Sequence, residues 1–145
     1  MLALAGVVVA LDQIAKQLAA THIERGSPVE LGLGFQLANV RNSGVAFGFL
    51  SGGEGFVLAF TLGTLAIVLG YFAAHAGRDL LWVSVGLLMG GALGNLADRT
   101  RAGAVIDFLD PPLWPAFNLA DVAIVLGVAS LALMIMSPAT RDAPA

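Results

Sequence analysis

Residues 80–99 read LLWVSVGLLMGGALGNLADR, and this stretch decides the fold. Its first 18 residues carry no charged side chain. A helix needs roughly 20 mostly apolar residues to cross a bilayer core of about 30 Å. Gly86, Gly90 and Gly94 recur every four residues, which leaves one helix face without side chains and lets a neighbouring backbone approach closely. The stretch therefore predicts a transmembrane helix that packs tightly against another helix.

Three further stretches have the same apolar character, and the composition of the whole chain agrees with them. Hydrophobic residues make up 58% of the 145 residues and charged residues 12%, whereas a soluble domain carries about 25% charged residues. Such a chain has too few polar side chains to cover a surface in water. We predict a single all-α integral membrane domain over residues 1–145, with four transmembrane helices at about 1–19, 56–76, 80–97 and 117–136.

The first apolar stretch has a signal peptide as its alternative interpretation, because it is N-terminal. Asp12 interrupts the apolar run, no basic residue precedes Leu2, and Lys16 follows one turn later. These features favour a transmembrane helix. The missing basic residues also suggest that the start is trimmed.

The connections between the helices differ in length. Residues 75–79 form a short link, which predicts an antiparallel hairpin of the second and third helices. The outer loop at about residues 20–55 predicts a small extramembrane β-cradle and a short interfacial helix near residues 47–50. The strand-like residues expected on one face of that cradle are Leu31, Leu33, Phe35 and Leu37. The outer loop at about residues 98–116 contains three prolines, which cannot continue a helix.

The distribution of basic residues bears on the orientation in the membrane. With four spans, both long loops share one side, which holds five Lys and Arg residues against two on the other. The positive-inside rule, taken literally, places the long loops in the cytoplasm. Loop charges can also serve function rather than topology, so charge alone leaves the orientation open.

Ionisable groups at membrane depth are costly, and each is a functional hypothesis. Asp12 and Lys16 lie four residues apart and share a helix face, which predicts an ion pair that supports a site from its edge. Asn95, Asp98 and Arg99 project to one side at the predicted end of the third helix. A C-terminal cap is the alternative for these three residues, but a cap does not need Asn and Asp one turn deeper.

Asp107 and Asp121 are the candidates for acid–base chemistry. Asp107 lies in the apolar segment VIDF, while Asn118 and Asp121 share a face at the start of the fourth helix. Helix capping is a rival explanation for Asp121, although it does not account for Asp107. Two carboxylates in an apolar cleft cannot both ionise cheaply, so they share a proton. One can then act as base on a water and the other as acid towards a carbonyl oxygen.

Other kinds of site are poorly represented in the chain. It has no cysteine and only two histidines, which lie outside these motifs. No serine sits in a G-x-S-x-G elbow. We expect no metal and no cofactor, and the net charge of −3 without a basic stripe gives no sign of nucleic-acid binding.

Five motifs, in order along nearly the whole chain, resemble those of bacterial lipoprotein signal peptidase (signal peptidase II), an intramembrane aspartyl protease family. They are Asp12-Gln13 with Lys16, residues 39–47 (NVRNSGVAF), residues 90–99 (GGALGNLADR), residues 105–108 (VIDF) and residues 117–121 (FNLAD). Each motif alone is weak, but five in this order are highly specific.

The resemblance implies that Asp107 and Asp121 activate water against the peptide bond before a diacylglyceryl-modified cysteine of a prolipoprotein. It implies four helices and a β-cradle in the bacterial cytoplasmic (inner) membrane, with the active site near the outer, periplasmic face. We expect a monomer that contacts membrane lipids and is inhibited by globomycin-type peptides. Residues at other motif positions are assigned to substrate binding or support: Asn42, Gly44, Asn95, Asp98, Arg99, Asn118, Asp12, Lys16, Phe47, Gly91, Phe117 and Ala120.

Two other classes of protein compete with this interpretation. A small proton-coupled transporter would use buried carboxylates as proton relays, but transporters place them near the membrane midplane. Asp107 is expected in a connection and Asp121 at a helix start, which is too shallow. A non-catalytic assembly subunit that contacts its partners through the glycine face would leave the polar cluster unexplained.

Overall fold

The computed structural model describes residues 1–43 and 53–136, which form four helices and three strands. The helices are α1 (Leu2–His22), α2 (Gly53–Ala74), α3 (Leu81–Ala102) and α4 (Leu119–Met136). The strands are β1 (Val29–Gly32), β2 (Phe35–Asn42) and β3 (Val105–Asp110). Gly44, Phe47 and the predicted interfacial helix near residues 47–50 lie outside the described residues.

The helices have the length and the surface of membrane spans. Among the described residues, α1, α3 and α4 are long and apolar enough to cross a bilayer, and α2 adds a shorter apolar helix over Leu58–Ala74. Large apolar side chains on the outside of the bundle, such as Ile14, Ile67 and Leu133, are more than half exposed. Exposed apolar surface on this scale is stable in lipid and not in water.

Helix α3 is the centre of the bundle, because it contacts α1, α2 and α4. The predicted glycine face is confirmed, and it faces α1. A Cβ added at Gly90 would lie 2.6 Å from the Val8 Cβ, and one added at Gly94 would lie 2.8 Å from the Asp12 carboxylate. Close approach of the backbones thus brings the charged residues of α1 against α3.

The strands form one antiparallel sheet in the order β1-β2-β3, and β2 pairs Val40 with Asp107 on β3. The predicted small sheet is present, but the alternating residues Leu31, Leu33, Phe35 and Leu37 do not lie on one strand. The chain turns at Leu33 and Gly34, which have φ values of 55° and 79°. Two consecutive residues at positive φ make a tight hairpin, so residues on either side of the turn belong to different strands.

Two element boundaries differ from the predicted ones in ways that affect the site. Helix α3 does not end at residue 97 but continues to Ala102, where Gly103 caps it at a φ of 69°. Asp98 and Arg99 are therefore inside the helix rather than at its cap, although Arg99 lies in the last turn, where its carbonyl accepts from the Gly103 N–H. Asp107 lies, as expected, in the connection between α3 and α4, where it is part of β3, and α4 begins at Leu119 rather than at residue 117.

Candidate active site

Asp107 is held by two asparagine side chains at the junction of the sheet and the helices. It is 2% exposed on β3. Asn42, at the end of β2, donates from Nδ2 to Asp107 Oδ2 at 2.9 Å. Asn118 donates from Nδ2 to Asp107 Oδ1 at 2.6 Å. Both oxygens of this buried carboxyl group therefore have a donor, which is the condition for burying it at a tolerable cost.

Asp121 lies in the first turn of α4 and is bound to the same asparagine. The Asp121 backbone N–H donates to Asn118 Oδ1 at 3.0 Å, and the Asn118 backbone N–H donates to Asp121 Oδ2 at 3.2 Å. This reciprocal pair has the form of a capping box. Asn95 on α3 donates from Nδ2 to Asp121 Oδ1 at 2.8 Å. Asp121 therefore caps its helix and also faces the polar cluster.

Asn118 is the residue that joins the two carboxyl groups. Its side-chain amide donates to Asp107 and its side-chain carbonyl accepts from the Asp121 backbone. The amide orientation is thus determined by both bonds, because only the nitrogen can donate and only the oxygen can accept. The two acidic residues that the sequence separates by 14 positions are held as one unit.

A buried lysine on α1 binds side chains that contact this unit. Lys16 Nζ lies 2.8 Å from Asp12 Oδ2 and 2.8 Å from Asp98 Oδ2. It also donates to Asn95 Oδ1 at 2.9 Å. The predicted ion pair of Asp12 and Lys16 is confirmed, and Asp98 is its second carboxylate. Because Lys16 takes the Asn95 oxygen, the Asn95 amide nitrogen is turned towards Asp121.

The two carboxylates beside Lys16 also bind backbone groups. Asp12 Oδ1 accepts from the Ala120 backbone N–H at 2.9 Å, in the first turn of α4. Asp98 Oδ2 accepts from the Ile106 backbone N–H at 3.4 Å, next to Asp107. The ion cluster therefore anchors both segments that carry the candidate catalytic residues.

Gln13 belongs to this network, although sequence reasoning did not assign it to the site. Its Nε2 donates to Asp98 Oδ1 at 2.9 Å and to the Gly94 carbonyl at 3.3 Å. Its Oε1 accepts from Arg101 at 3.0 Å. The sequence does contain a signal for Gln13. It is a polar residue directly after the charged Asp12, inside the motif that begins there.

The remaining assigned residues have packing or lining positions. Gly91 faces the Ala120 carbonyl oxygen of α4 so closely that a Cβ would overlap it. Ala120 itself is fully buried. Phe117 forms a β-bridge with Leu109 and so fixes the chain just before Asn118. Among the described residues, no group of three or more His, Asp or Glu residues is arranged to hold a metal ion.

The electrostatic environment of Asp107 favours its neutral form. Burial raises the pKa of the Asp107 carboxyl group above its ordinary value. The hydrogen bonds from Asn42 and Asn118 act in the opposite direction, and the negative charge of Asp121 adds to the rise. A carboxyl group whose neutral form is favoured in this way is suited to serve as a general acid.

Among the described residues, two grooves that reach Asp121 can be defined. One groove of about 280 Å³ runs between α2, α3 and α4, with Phe60, Leu65 and Leu88 along it and Asn95, Arg99 and Asp121 at its polar end. Arg99 Nε is buried there without a hydrogen-bond partner among the described residues. The other groove, of about 330 Å³, is lined by Trp114, Phe117, Asp121, Val122, Val125 and Leu126. Both are mostly apolar surfaces that end at a carboxylate.

Comparison with known proteins agrees with this arrangement. The family model described as signal peptidase (SPase) II matches residues 4–137. The lipoprotein signal peptidase of Moorella thermoacetica is 43% identical over 140 residues, which cover 95% of this chain and 93% of that protein. That of Nitratidesulfovibrio vulgaris is 44% identical over 137 residues, which cover 87% of this chain and 82% of that protein.

Solved structures of bacterial membrane enzymes have the same fold. One superposes with a TM-score of 0.82 at 32% identity and covers 92% of this chain and 90% of its own. A second has a TM-score of 0.82 at 31% identity and covers 98% of this chain and 92% of its own. The sequence match and the structural match extend over nearly the full length. The chain belongs to the signal peptidase II family, the lipoprotein signal peptidases.

Proposed function

We propose that Asp107 and Asp121 are the catalytic pair with which this aspartic-type protease removes the signal peptide of a prolipoprotein. The observation that carries the proposal is the side chain of Asn118, which binds both acidic residues and aligns them. The bond to be cleaved is the peptide bond that precedes a diacylglyceryl-modified cysteine. The family assignment gives no support to the proton-coupled transporter.

The two carboxyl groups have different roles because their environments differ. Asp107 is buried, and burial raises its pKa, which favours its protonated form. Asp121 accepts N–H bonds on both oxygens at the N-terminus of α4, where the helix dipole favours an anion. Asp107 is therefore the acid and Asp121 the base in the first step.

The hydrolysis then follows the usual acid–base sequence. Asp121 takes a proton from a water molecule as the water oxygen attacks the carbonyl carbon, and Asp107 gives its proton to the carbonyl oxygen. The product is a neutral gem-diol. Asp121 next gives its proton to the leaving nitrogen while Asp107 takes back the proton from one hydroxyl group. The carbon–nitrogen bond breaks, and both acidic residues return to their starting states.

Several side chains around the pair are suited to hold the substrate. Arg99 lines the groove at Asp121, and its Nε has no partner in the described part of the chain, so it is suited to donate to a substrate carbonyl. Asn42 and Asn95 orient the two acidic residues. The apolar walls of the two grooves suit a signal-peptide helix and acyl chains. Gly44 and Phe47 stay assigned to substrate binding by motif alone.

We place the chain in the bacterial cytoplasmic membrane as one domain with four spans, α2 being the fourth. Asp107, Asp121 and the sheet lie at the same end of the helices, and we propose from the family resemblance that this end is near the outer face. We further propose that the sheet acts as a cradle over the substrate, that the protein works as a monomer, and that globomycin-type peptides bind at the catalytic pair.

The test is cleavage of a lipidated prolipoprotein by the purified protein in detergent. Asp107→Asn and Asp121→Asn should each lower kcat by about 10²–10⁴-fold, as expected for loss of a general acid or base. Asp110→Asn, at the end of the same strand as Asp107, is the matched control and should keep the parent rate. Thermal unfolding of all variants checks that they fold. Parent activity in either of the first two variants would refute the catalytic pair.

A further inference from the structure

We propose that this protein has a binding site for the phosphate of an anionic phospholipid, separate from the two grooves that reach Asp121. The site is a cavity of about 200 Å³ between α1, the last turn of α3 and the sheet, here named the basic cavity. Its polar lining residues are Gln13, Lys16, Gln17, Arg41, Asp98 and Arg101. It shares none of its lining residues with the two grooves that reach Asp121.

The charges around the basic cavity leave two guanidinium groups available. Within the described ranges 1–43 and 53–136, both ion pairs belong to Lys16, whose charge is taken by Asp12 and Asp98. The Asp98 carboxylate is already occupied by Lys16, Gln13 and a backbone N–H. Arg41 and Arg101 therefore face the cavity without a carboxylate from this part of the chain.

Arg41 carries a direct sign of a missing ligand. Its Nε is buried and has no hydrogen-bond partner in the part of the chain that the structure describes. A buried donor without a partner is unfavourable, so a ligand with acceptor oxygens would be stabilised there. Arg101 donates one bond to Gln13 and has further N–H groups to offer. Two guanidinium groups around one small cavity match the oxygens of a phosphate.

The helix surfaces beside the cavity identify the ligand as a lipid rather than a free anion. On α1, Ala10 and Gly6 lie on the same face as Gln13, one and two turns away, and both are exposed. On α3, Leu93 and Ala97 lie on the same face as Arg101. Leu93 is 38% exposed. Exposed or half-exposed apolar surface thus continues from the cavity along both helices, where the acyl chains below a headgroup would lie.

The experiment measures lipid binding to the purified full-length protein by native mass spectrometry, with phosphatidylglycerol, phosphatidylcholine and uncharged diacylglycerol as probes. Phosphatidylglycerol should bind at least about tenfold more tightly than either of the others. Arg41→Gln and Arg101→Gln should each weaken it by roughly tenfold, the effect of one charge-assisted hydrogen bond. Arg25→Gln, in the exposed loop after α1, removes a charge on the same side and should change nothing. The assay does not depend on peptide cleavage, so its outcome is separate from that of the catalytic proposal.

Four results would contradict the proposal. The first is equal binding of phosphatidylglycerol and phosphatidylcholine by the parent. The second is parent-like binding by Arg101→Gln, an exposed residue whose loss should not prevent folding. The third is displacement of the lipid by glycerol phosphate at a similar concentration, which would identify a site for a free anion. Arg41→Lys keeps the charge without the planar donors and should give an intermediate affinity; an affinity equal to the parent's would also contradict the proposed phosphate contact.

Discussion

Replacing Asn118 should separate helix capping from catalysis. Asn118→Ala removes two bonds at once, the cap on the Asp121 backbone and the donor to Asp107. Loss of an N-cap is worth about 1 kcal/mol of stability, and a hydrogen bond to a carboxylate about 1.5–3 kcal/mol. Asn118→Ser keeps a capping oxygen but is too short to reach Asp107. Both variants should lose about 10- to 100-fold in kcat/KM, while only Asn118→Ala loses the cap contribution to stability.

The assay combines cleavage of a lipidated prolipoprotein with thermal unfolding in detergent. Asn39→Ala is the control, since Asn39 is a half-buried strand asparagine that donates to the Ile23 carbonyl at 3.0 Å, away from the acidic pair. It should lose stability without a comparable loss of kcat/KM. If Asn118→Ser and Asn118→Ala both kept the parent kcat/KM, the argument that Asn118 aligns the two acidic residues would be refuted.

Two further predictions concern pH and packing. The pH profile of kcat/KM should fall on its alkaline side at a pH above the usual aspartate range, because Asp107 must stay protonated to act as the acid and burial raises its pKa. The same shift means that the folded state binds more protons than the unfolded chain. The free energy of unfolding should therefore fall as pH rises from the ordinary aspartate pKa through the raised one. Asp107→Asn should abolish this pH dependence. If the variant kept it, the pH dependence would have to come from another group. Gly91→Ala should destabilise the protein by roughly 1–3 kcal/mol, because its Cβ would overlap the Ala120 carbonyl oxygen on α4. Gly70→Ala, whose Cβ would meet nothing within 4 Å, is the matched control, and equal thermal stability of the two variants would contradict the close contact of α3 and α4.

The Lys16 cluster shows why a buried charge network can be retained next to an active site. Removing one member of a buried pair costs about 3–5 kcal/mol, because the remaining charge is left without a partner. Here the members of the cluster also bind groups on neighbouring elements. Asp12 binds the first turn of α4, Asp98 binds the strand residue before Asp107, and Lys16 orients Asn95. A single cation on α1 thereby positions groups on three other elements.

Much of the fold could be predicted from local patterns. Apolar stretches of membrane-spanning length indicate the helices, because the bilayer imposes a length and a polarity on each span independently of its neighbours. The spacing of Gly86, Gly90 and Gly94 indicated a close helix contact, and the i, i+4 spacing of Asp12 and Lys16 indicated their ion pair. Each of these features depends on residues within a few turns of one another.

The boundaries that were wrong depend on backbone geometry that residue types only bias. The left-handed conformation at Gly103 ends α3 five residues beyond the predicted position. The turn at Leu33 and Gly34 divides what looked like one strand into two. Leu33 is a poor residue for a positive φ, so pattern reasoning had little basis for placing the turn there.

By itself, the sequence determined that this is a membrane protein of four apolar segments, and it singled out Asp107 and Asp121 by motif. Only the tertiary structure decided how they are joined. Asn118 binds both, and Asn95 reaches Asp121 from α3 while its oxygen is held by Lys16 from α1, a contact across 79 residues of chain. No local pattern encodes which donor meets which acceptor over such separations. The packing of α1, α3 and α4 around small residues sets those distances, and the distances turn separate polar side chains into one site.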